Sequence, residues 1–335
     1  MKSNEPKIAV VLIVGSQRER AQLSLQSILI QDGIEDAEIL LFDLGSDHYS
    51  VLKGSDHASV RYVNSQKGLS YGEIRAEGVR HSRAPIVAFV EEHCFVMFGW
   101  LKAVLAAFEG PWAAVGGEIH TANPGIGISD TVSMMNYTAW RPPAASGETV
   151  LIAGHNSAYR REALLSYGEA LGPLLLCESN LNIKLGEDGY KLFVEPSVRF
   201  LHTNENKLSA IAAGYFLWHR MFGHYRPVQF RWSRSKKLIR LLMFPMMPFV
   251  RAAKMGFYTI RHRPDELGLY LRSMPFILIA QSYAAMGTAV GQVFGLGESE
   301  QMFVKHEIDL DRTLPDPITL IEKAIAAPDR DSSGS

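Results

Sequence analysis

Only two cysteines, Cys94 and Cys177, occur in 335 residues. That excludes a disulfide scaffold and a thiolate zinc centre, and it fits a reducing compartment. A charge excess is missing too. The 34 Lys and Arg against 35 Asp and Glu leave a formal net charge of -1, so no global basic surface points to nucleic acid. The N-terminus lacks the build of a signal peptide. Its apolar run covers about seven residues and no small-residue cleavage site follows, so this part is expected to stay in the cytoplasm. The turn after that run, Gly15-Ser16-Gln17, is not G-x-G-x-x-G, which weakens a dinucleotide-dependent dehydrogenase reading.

What is present is a rhythm of buried strands and amphipathic helices. Lys7 to Val14 (KIAVVLIV) is continuously apolar and β-branched, as in a strand covered on both faces. Arg18 to Gln31 has apolar residues at helical spacing, and Asp32-Gly33 ends it. Strands are predicted again over Ala37–Phe42, Val60–Val63 and Ile86–Val90, with helices over Gly68–His81 and Gly99–Phe108. This alternation predicts an α/β domain with a mostly parallel, Rossmann-like sheet. Val115 to His120 and Lys191 to Phe200 read as further strands. Between them, the polar, Pro- and Gly-rich passage Thr121 to Thr149 is expected to be a loop with a short helix near Asp130 to Trp140, a candidate cover for a substrate.

Ligands in such sheets bind beyond the carboxyl ends of the strands. The polar groups fall there: Ser16 and Arg18, Asp43 and Asp47, then Glu91, Glu92 and His93. Two carboxylates and an imidazole closing a buried strand are costly to desolvate without a partner. A divalent cation, Mn²⁺ or Mg²⁺, is one such partner; simple solvation of a strand end is the other. Asp43 and Asp47 can equally cap a turn. Trp140 either packs within its loop or stacks on a sugar.

After His202 the composition changes. Asn206 to Tyr225 has a helical apolar face, and Arg231 to Lys237 (RWSRSKK) is basic. The following run, Leu238 to Ile260, carries Arg240, Arg251 and Lys254 and is expected to kink at Pro245 and Pro248. Basic residues beside Trp and Phe suggest a helix lying in a membrane interface. Met274 to Leu296 has 23 residues without a formal charge, long enough to span a bilayer. Gly287, Gly291 and Gly295 give it a close-packing face. A spanning helix, an interfacial hairpin and a helix buried in an oligomer all remain open. The expected division is 1–205 for the catalytic domain, 206–300 for a helical, membrane-associating region, and 301–335 for a polar, partly disordered tail.

The order of motifs from Ile8 to His202 resembles family 2 of the inverting, nucleotide-sugar-dependent glycosyltransferases, which have the GT-A fold. Phe42-Asp43-Leu44-Gly45-Ser46-Asp47 resembles the family's V-D-D/N-G-S-x-D, and Gly68 through Arg75-Ala76-Glu77-Gly78 its G…R-N-x-G segment. Phe89-Val90-Glu91-Glu92-His93 stands where the family has F-L-D-x-D, followed by Gly99-Trp100-Leu101. Gly154-His155-Asn156-Ser157-Ala158-Tyr159-Arg160-Arg161-Glu162 resembles G-x-N-x-A-x-R-R-E, and Pro196 to His202 resembles P-x-A-x-V-x-H. The chain departs from these patterns at Leu44 and Ala76, at Glu91 and His93 for both aspartates, and at Ser179, where the second acid of an E-D pair is lost.

The resemblance implies an enzyme that moves a sugar from a nucleotide-diphosphate donor to a hydroxyl acceptor with inversion. Ser16, Arg18, Asp43, Arg75, Glu91 and Glu92 would hold the donor. Glu91, His93 and His202 would bind the metal. Glu178 would be the catalytic base, and Trp140, His155 and Asn156 would face the acceptor. Attachment to the cytoplasmic face of a membrane would suit a lipid-linked or polysaccharide acceptor, with a homo-oligomer possible. The altered acidic motifs favour, as alternatives, a nucleotide-sugar-binding protein without catalysis or a structural subunit of a membrane polysaccharide assembly complex.

Overall fold

The structure is a computed structural model that describes residues 5–45 and 51–314. Asp47 and the DRDSSGS terminus therefore lie outside the described residues. The chain runs β1 (Ile8–Val14), α1 (Arg18–Leu29), β2 (Ala37–Asp43), β3 (Val60–Tyr62), α2 (Tyr71–His81), β4 (Ile86–Glu91), β5 (Cys94–Val96), α3 (Trp100–Ala107) and β6 (Ala114–Thr121). It continues through α4 (Ser129–Tyr137), β7 (Gly147–Thr149), β8 (Ser157–Arg160), α5 (Arg161–Leu165), α6 (Leu171–Leu176), α7 (Glu178–Glu187) and β9 (Leu192–His202). The C-terminal helices are α8 (Leu208–Gln229), α9 (Arg234–Leu242), α10 (Met247–His262), α11 (Leu267–Phe294) and α12 (Ser299–Asp309).

The apolar runs do what their composition demands. In β1, Ala9, Val11 and Ile13 enter one core, while Ile8, Val10, Leu12 and Val14 enter the other. Helices α1 and α3 cover the second face through Ala21, Leu25, Ile28, Trp100 and Val104. Helices α2, α6 and α7 cover the first through Ile74, Val79, Leu175 and Leu181. Ser70 starts α2 by accepting the Glu73 amide at 3.2 Å, which places its first residue three positions after the predicted start at Gly68.

The nine-stranded sheet has the order β3-β2-β1-β4-β8-β6-β9-β5, with β7 pairing β9. Its first half is parallel, with Ile8 opposite both Ala37 and Ile86. Its second half is mixed: β8 runs antiparallel to β4 and β6, and β5 antiparallel to β9, while β6 and β9 are parallel. Strand β8 thus brings the loop before it back to the carboxyl end of β4.

Helices α8 and α11 cross at backbone distance. A methyl group on Gly287 would strike the Phe216 carbonyl, one on Gly291 the Arg220 carbonyl, and one on Gly223 the Thr288 carbonyl. The glycine series thus serves a helix pair within one chain. Gly295 differs: at φ 73° it caps the end of α11. The stretch Pro264–Phe294 is long and apolar enough to cross a membrane. One face of α11 nevertheless packs against α4 and α8 through Ala280, Ala284, Val132, Ile211 and Tyr215. The other exposes Leu271, Ile279, Met286 and Phe294, alongside Leu238 and Leu242 of α9 and Phe249 and Phe257 of α10.

The boundary expected at residue 300 falls inside α12. That helix and residues 310–314 fold back over the carboxyl end of β1 as a strap. Ser16 donates to Asp309 Oδ1 at 2.7 Å and to the Ile308 carbonyl at 3.2 Å, and Arg20 donates to the Leu310 carbonyl at 2.8 Å. Gly15 is obligatory here, because a Cβ on it would collide with Ile308.

Candidate active site

Glu91 closes β4 at the wall of a cavity of about 580 Å³. Its Oε2 lies 3.3 Å from His93 Nε2, 3.5 Å from His202 Nε2 and 3.9 Å from His155 Nε2. Asn156 donates to the same oxygen at 3.2 Å, and Arg75 stands 3.6 Å from Oε1. Sheet register explains the convergence. Cys94 pairs with His202, which sets His93 and His202 side by side, and Phe89 pairs with Ser157, which sets His155 and Asn156 beside Glu91. Burial alone would raise the Glu91 carboxyl, but His155, His93 and His202 hold it well below the usual carboxylate range.

The hydrogen-bond partners fix the protons. A guanidinium only donates, so Arg312, 3.2 Å from His93 Nδ1, makes that nitrogen an acceptor and leaves the hydrogen on Nε2. Burial and Arg312 together push His93 down to about 3, so it is neutral. His202 Nδ1 lies 2.9 Å from Asn204 Oδ1, to which it donates, so its Nε2 lone pair faces the cavity. Burial lowers the pKa of His202 as well. His155 Nδ1 donates to Glu178 Oε2 at 3.1 Å. Burial works against its charge, yet Glu91 and Glu178 raise it to about 9. Tyr137, the last residue of α4, bridges His155 Nε2 at 3.0 Å and His202 Nε2 at 2.9 Å.

Glu178 opens α7 and is 7% exposed. Arg75, from α2, binds its Oε1, while His155 takes Oε2. Arg75, Glu91, His93, Trp140, His155, Glu178 and His202 all line the cavity. The remaining residues singled out from the sequence lie elsewhere. Arg18 forms a two-pronged pair with Asp43 at 3.0 Å on each side, and Ser16 is held by the strap. Asn156 is buried behind Glu91. Glu92 faces away from the cavity: it accepts the Gly15 amide at 2.7 Å and forms a buried ion pair with Arg20. It lies in the turn between β4 and β5.

Tyr137, Asn204, Glu307 and Arg312 join the site without having been singled out from the sequence. Tyr137 had a signal, because it lies inside the helix predicted near Asp130 to Trp140. Arg312, 6% exposed, had none, since it follows a polar segment with no periodicity. It is held by Glu307 at 2.9 Å, and Glu205 stands at 3.9 Å.

Among the described residues, three sets of ligand atoms lie within 4.8 Å of one another; two include Glu91, the first Glu91, His155 and His202 and the second Glu91, His93 and Glu307, while the third is Glu205, His306 and Glu307 at the strap. The first fits a divalent cation by its chemistry. Each imidazole has Nδ1 tied to an oxygen, the arrangement that aims Nε2 at a metal. Two nitrogens and a carboxylate suit Mn²⁺ better than Mg²⁺. A dication there would replace the proton that His155 carries beside Glu91. The second set shares its space with the Arg312 guanidinium.

Residues 10–168 match the family described as Glycosyl transferase family 2. Comparison with curated sequences finds no significant relative. Among solved structures, the mannosyltransferase PcManGT from Pyrobaculum calidifontis, in complex with GDP-Man and Mn²⁺, is similar with a TM-score of 0.50 at 14% identity, over 87% of this chain and 88% of that one. GalNAc-T7, solved with UDP, GalNAc and Mn²⁺, aligns with a TM-score of 0.45 at 15% identity, over 60% of this chain but only 44% of its own length. The topology and the matched sequence agree: residues 10–168 carry a domain that matches Glycosyl transferase family 2, on a mostly parallel, GT-A-like sheet.

Proposed function

We propose that the protein transfers a sugar from a nucleoside-diphosphate donor to a hydroxyl acceptor, with inversion and with a divalent cation bound by Glu91, His155 and His202. One observation carries this reading: a carboxylate oxygen and the Nε2 atoms of two imidazoles converge on a cavity at the carboxyl end of β4, beside the guanidinium of Arg75.

In that reading the acceptor oxygen attacks the anomeric carbon as the bond to the diphosphate breaks. The acceptor proton passes to Glu178, and Arg75 then balances the donor's phosphates rather than Glu178. The cation, when bound, neutralises charge on the departing diphosphate. Arg18 and Asp43 lie at the ends of β1 and β2, where the nucleoside would sit. Ser16 would reach the donor only by exchanging its bond to Asp309. Trp140 and His155 face the space left for the acceptor. The exposed apolar faces of α9, α10 and α11 would rest on the cytoplasmic surface of a membrane. The packing of α11 against α8 and α4 favours lying on that surface over crossing it.

The test is nucleoside diphosphate release from a panel of nucleotide sugars with Mn²⁺, by purified full-length protein. Release that requires Mn²⁺ and falls with His202→Ala supports the reading; a His202→Ala protein of full activity removes the metal assignment. Carbonate washing of membranes that carry the protein separates surface attachment from a span. A second reading, nucleotide-sugar binding without turnover, is favoured by one fact: both Glu178 oxygens already have partners. Donor binding with no diphosphate release would select it.

A further inference from the structure

A second cavity, of about 560 Å³, opens between α8, α9, α10 and α11. It shares Ser179, Trp218, His219 and Arg251 with the wall of the first. Four cations face it in two tiers. Arg226 and Arg251 are half-buried at its inner end, and Lys236 and Arg240 lie at its mouth. The outer pair stacks on Trp232, with Lys236 Nζ 4.9 Å and the Arg240 guanidinium 5.7 Å from the ring centre. Arg226 stacks on Phe230 at 6.0 Å, and Arg251 donates to Gln281 at 3.0 Å.

Among the described residues, no carboxylate forms an ion pair with any of the four. Glu187, the one acid in the wall, is paired with Lys184 at 2.9 Å. Half-buried guanidinium groups without a counter-charge are costly, and the cost shows. Burial, and after it Arg240, lowers the pKa of Arg226; burial and, in part, Arg226 lower that of Arg251. Apolar side chains lie beside the cations. Leu241, Phe244 and Met247 line it, and Leu238, Leu242 and Phe249 continue it as an exposed surface.

We propose that this cavity binds the phosphate head of a lipid, with the phosphate among Arg226, Lys236, Arg240 and Arg251 and the hydrocarbon chain along α9 and α10. Guanidinium and ammonium groups are matched to phosphate oxygens. The apolar rim is matched to a chain that inorganic phosphate does not have. The shared wall sets such a head group beside the catalytic cavity. The inference holds whichever sugar is moved, and its test does not depend on turnover.

The test is calorimetric titration of full-length protein with a soluble alkyl phosphate below its micelle threshold, against inorganic phosphate and against the matching alkyl alcohol. The alkyl phosphate is expected to bind one per chain, at least about tenfold tighter than either fragment, a difference of ~1.4 kcal/mol. Arg226→Gln with Arg240→Gln should weaken it by at least about tenfold, because each charge-assisted bond to phosphate is lost. Arg234→Gln with Arg261→Gln, which removes two cations outside the cavity, should leave it unchanged. If the first pair fails to fold, Lys236→Gln with Arg240→Gln, both exposed, takes its place. Equal affinity for inorganic phosphate would make this a free-anion site and overturn the proposal. So would binding that survives the cavity variants, or that falls equally in the Arg234→Gln and Arg261→Gln control.

Discussion

The guanidinium of Arg312 donates to Nδ1 of His93 at 3.2 Å, across 219 positions of sequence. One bond thereby sets the tautomer of an active-site imidazole and seats the strap. Arg312 also neutralises Glu307, which it holds down at about 2. Arg312→Ala is expected to destabilise the fold by ~3 kcal/mol, because Glu307 is left buried without a partner. Thermal unfolding measures it. Adding Glu307→Gln should return part of the loss; a double variant no better than the single one would show that the pair is not the cause.

Glu178→Gln keeps the side chain's size and removes its charge. Turnover should fall by about 10²–10⁴-fold if Glu178 takes up the acceptor proton. Donor affinity, measured separately by calorimetry, should change little. Loss of donor affinity with equal turnover would instead make Glu178 an anchor for Arg75.

Asn204 touches the proposed cation only through His202. Asn204→Ala should weaken Mn²⁺ affinity by about 10–100-fold, read from the signal of free Mn²⁺ in a titration. Unaltered affinity would mean that His202 is oriented by something else.

Glu118 gives a pH signature apart from the catalytic groups. Burial would raise its carboxyl, but His120 at 3.1 Å and the Ala144 amide at 2.7 Å hold it below the usual carboxylate value. A depressed folded pKa adds stability above the unfolded value, and that stability is lost as pH falls through the folded one. The acid limb of a stability–pH curve should therefore be shallower in Glu118→Gln below about pH 4.5. Identical slopes would leave the Glu118 contacts without weight.

Gly291→Leu tests the α8–α11 crossing. Since even a methyl group would meet the Arg220 carbonyl, the helices must separate. The expected loss is several kcal/mol, at the upper end for overpacking, seen as a lower melting temperature and faster proteolysis in α11. Gly186→Leu, where nothing stands within 4 Å, is the control.

The parallel half of the sheet was legible in the sequence because continuous apolar runs of six or seven residues have no other use there; β1, β2 and β4 end within a residue of expectation. The short antiparallel strands β5 and β8, of three and four residues, are too brief to show a period, and they carry the register that gathers the histidines. Glu91-Glu92-His93 stood out as one cluster, yet the chain turns Glu92 into a buried pair with Arg20. The partner of that pair lies in α1, at a distance no local pattern encodes. Arg312 was illegible for the same reason: a lone cation in polar sequence says nothing of where it is buried.

The strap also sets an order of events during synthesis. Residues 10–168 leave the ribosome long before Arg312 does. Until then Gly15 and Ser16 have no cover, His93 has no cation at Nδ1, and Arg20 lacks the Leu310 carbonyl. A nascent chain can assemble the parallel half of its sheet early, as N-terminal segments generally do. The finished site arrives only when residue 312 has been added, so folding of the residue 10–168 segment and completion of the candidate site are separate events.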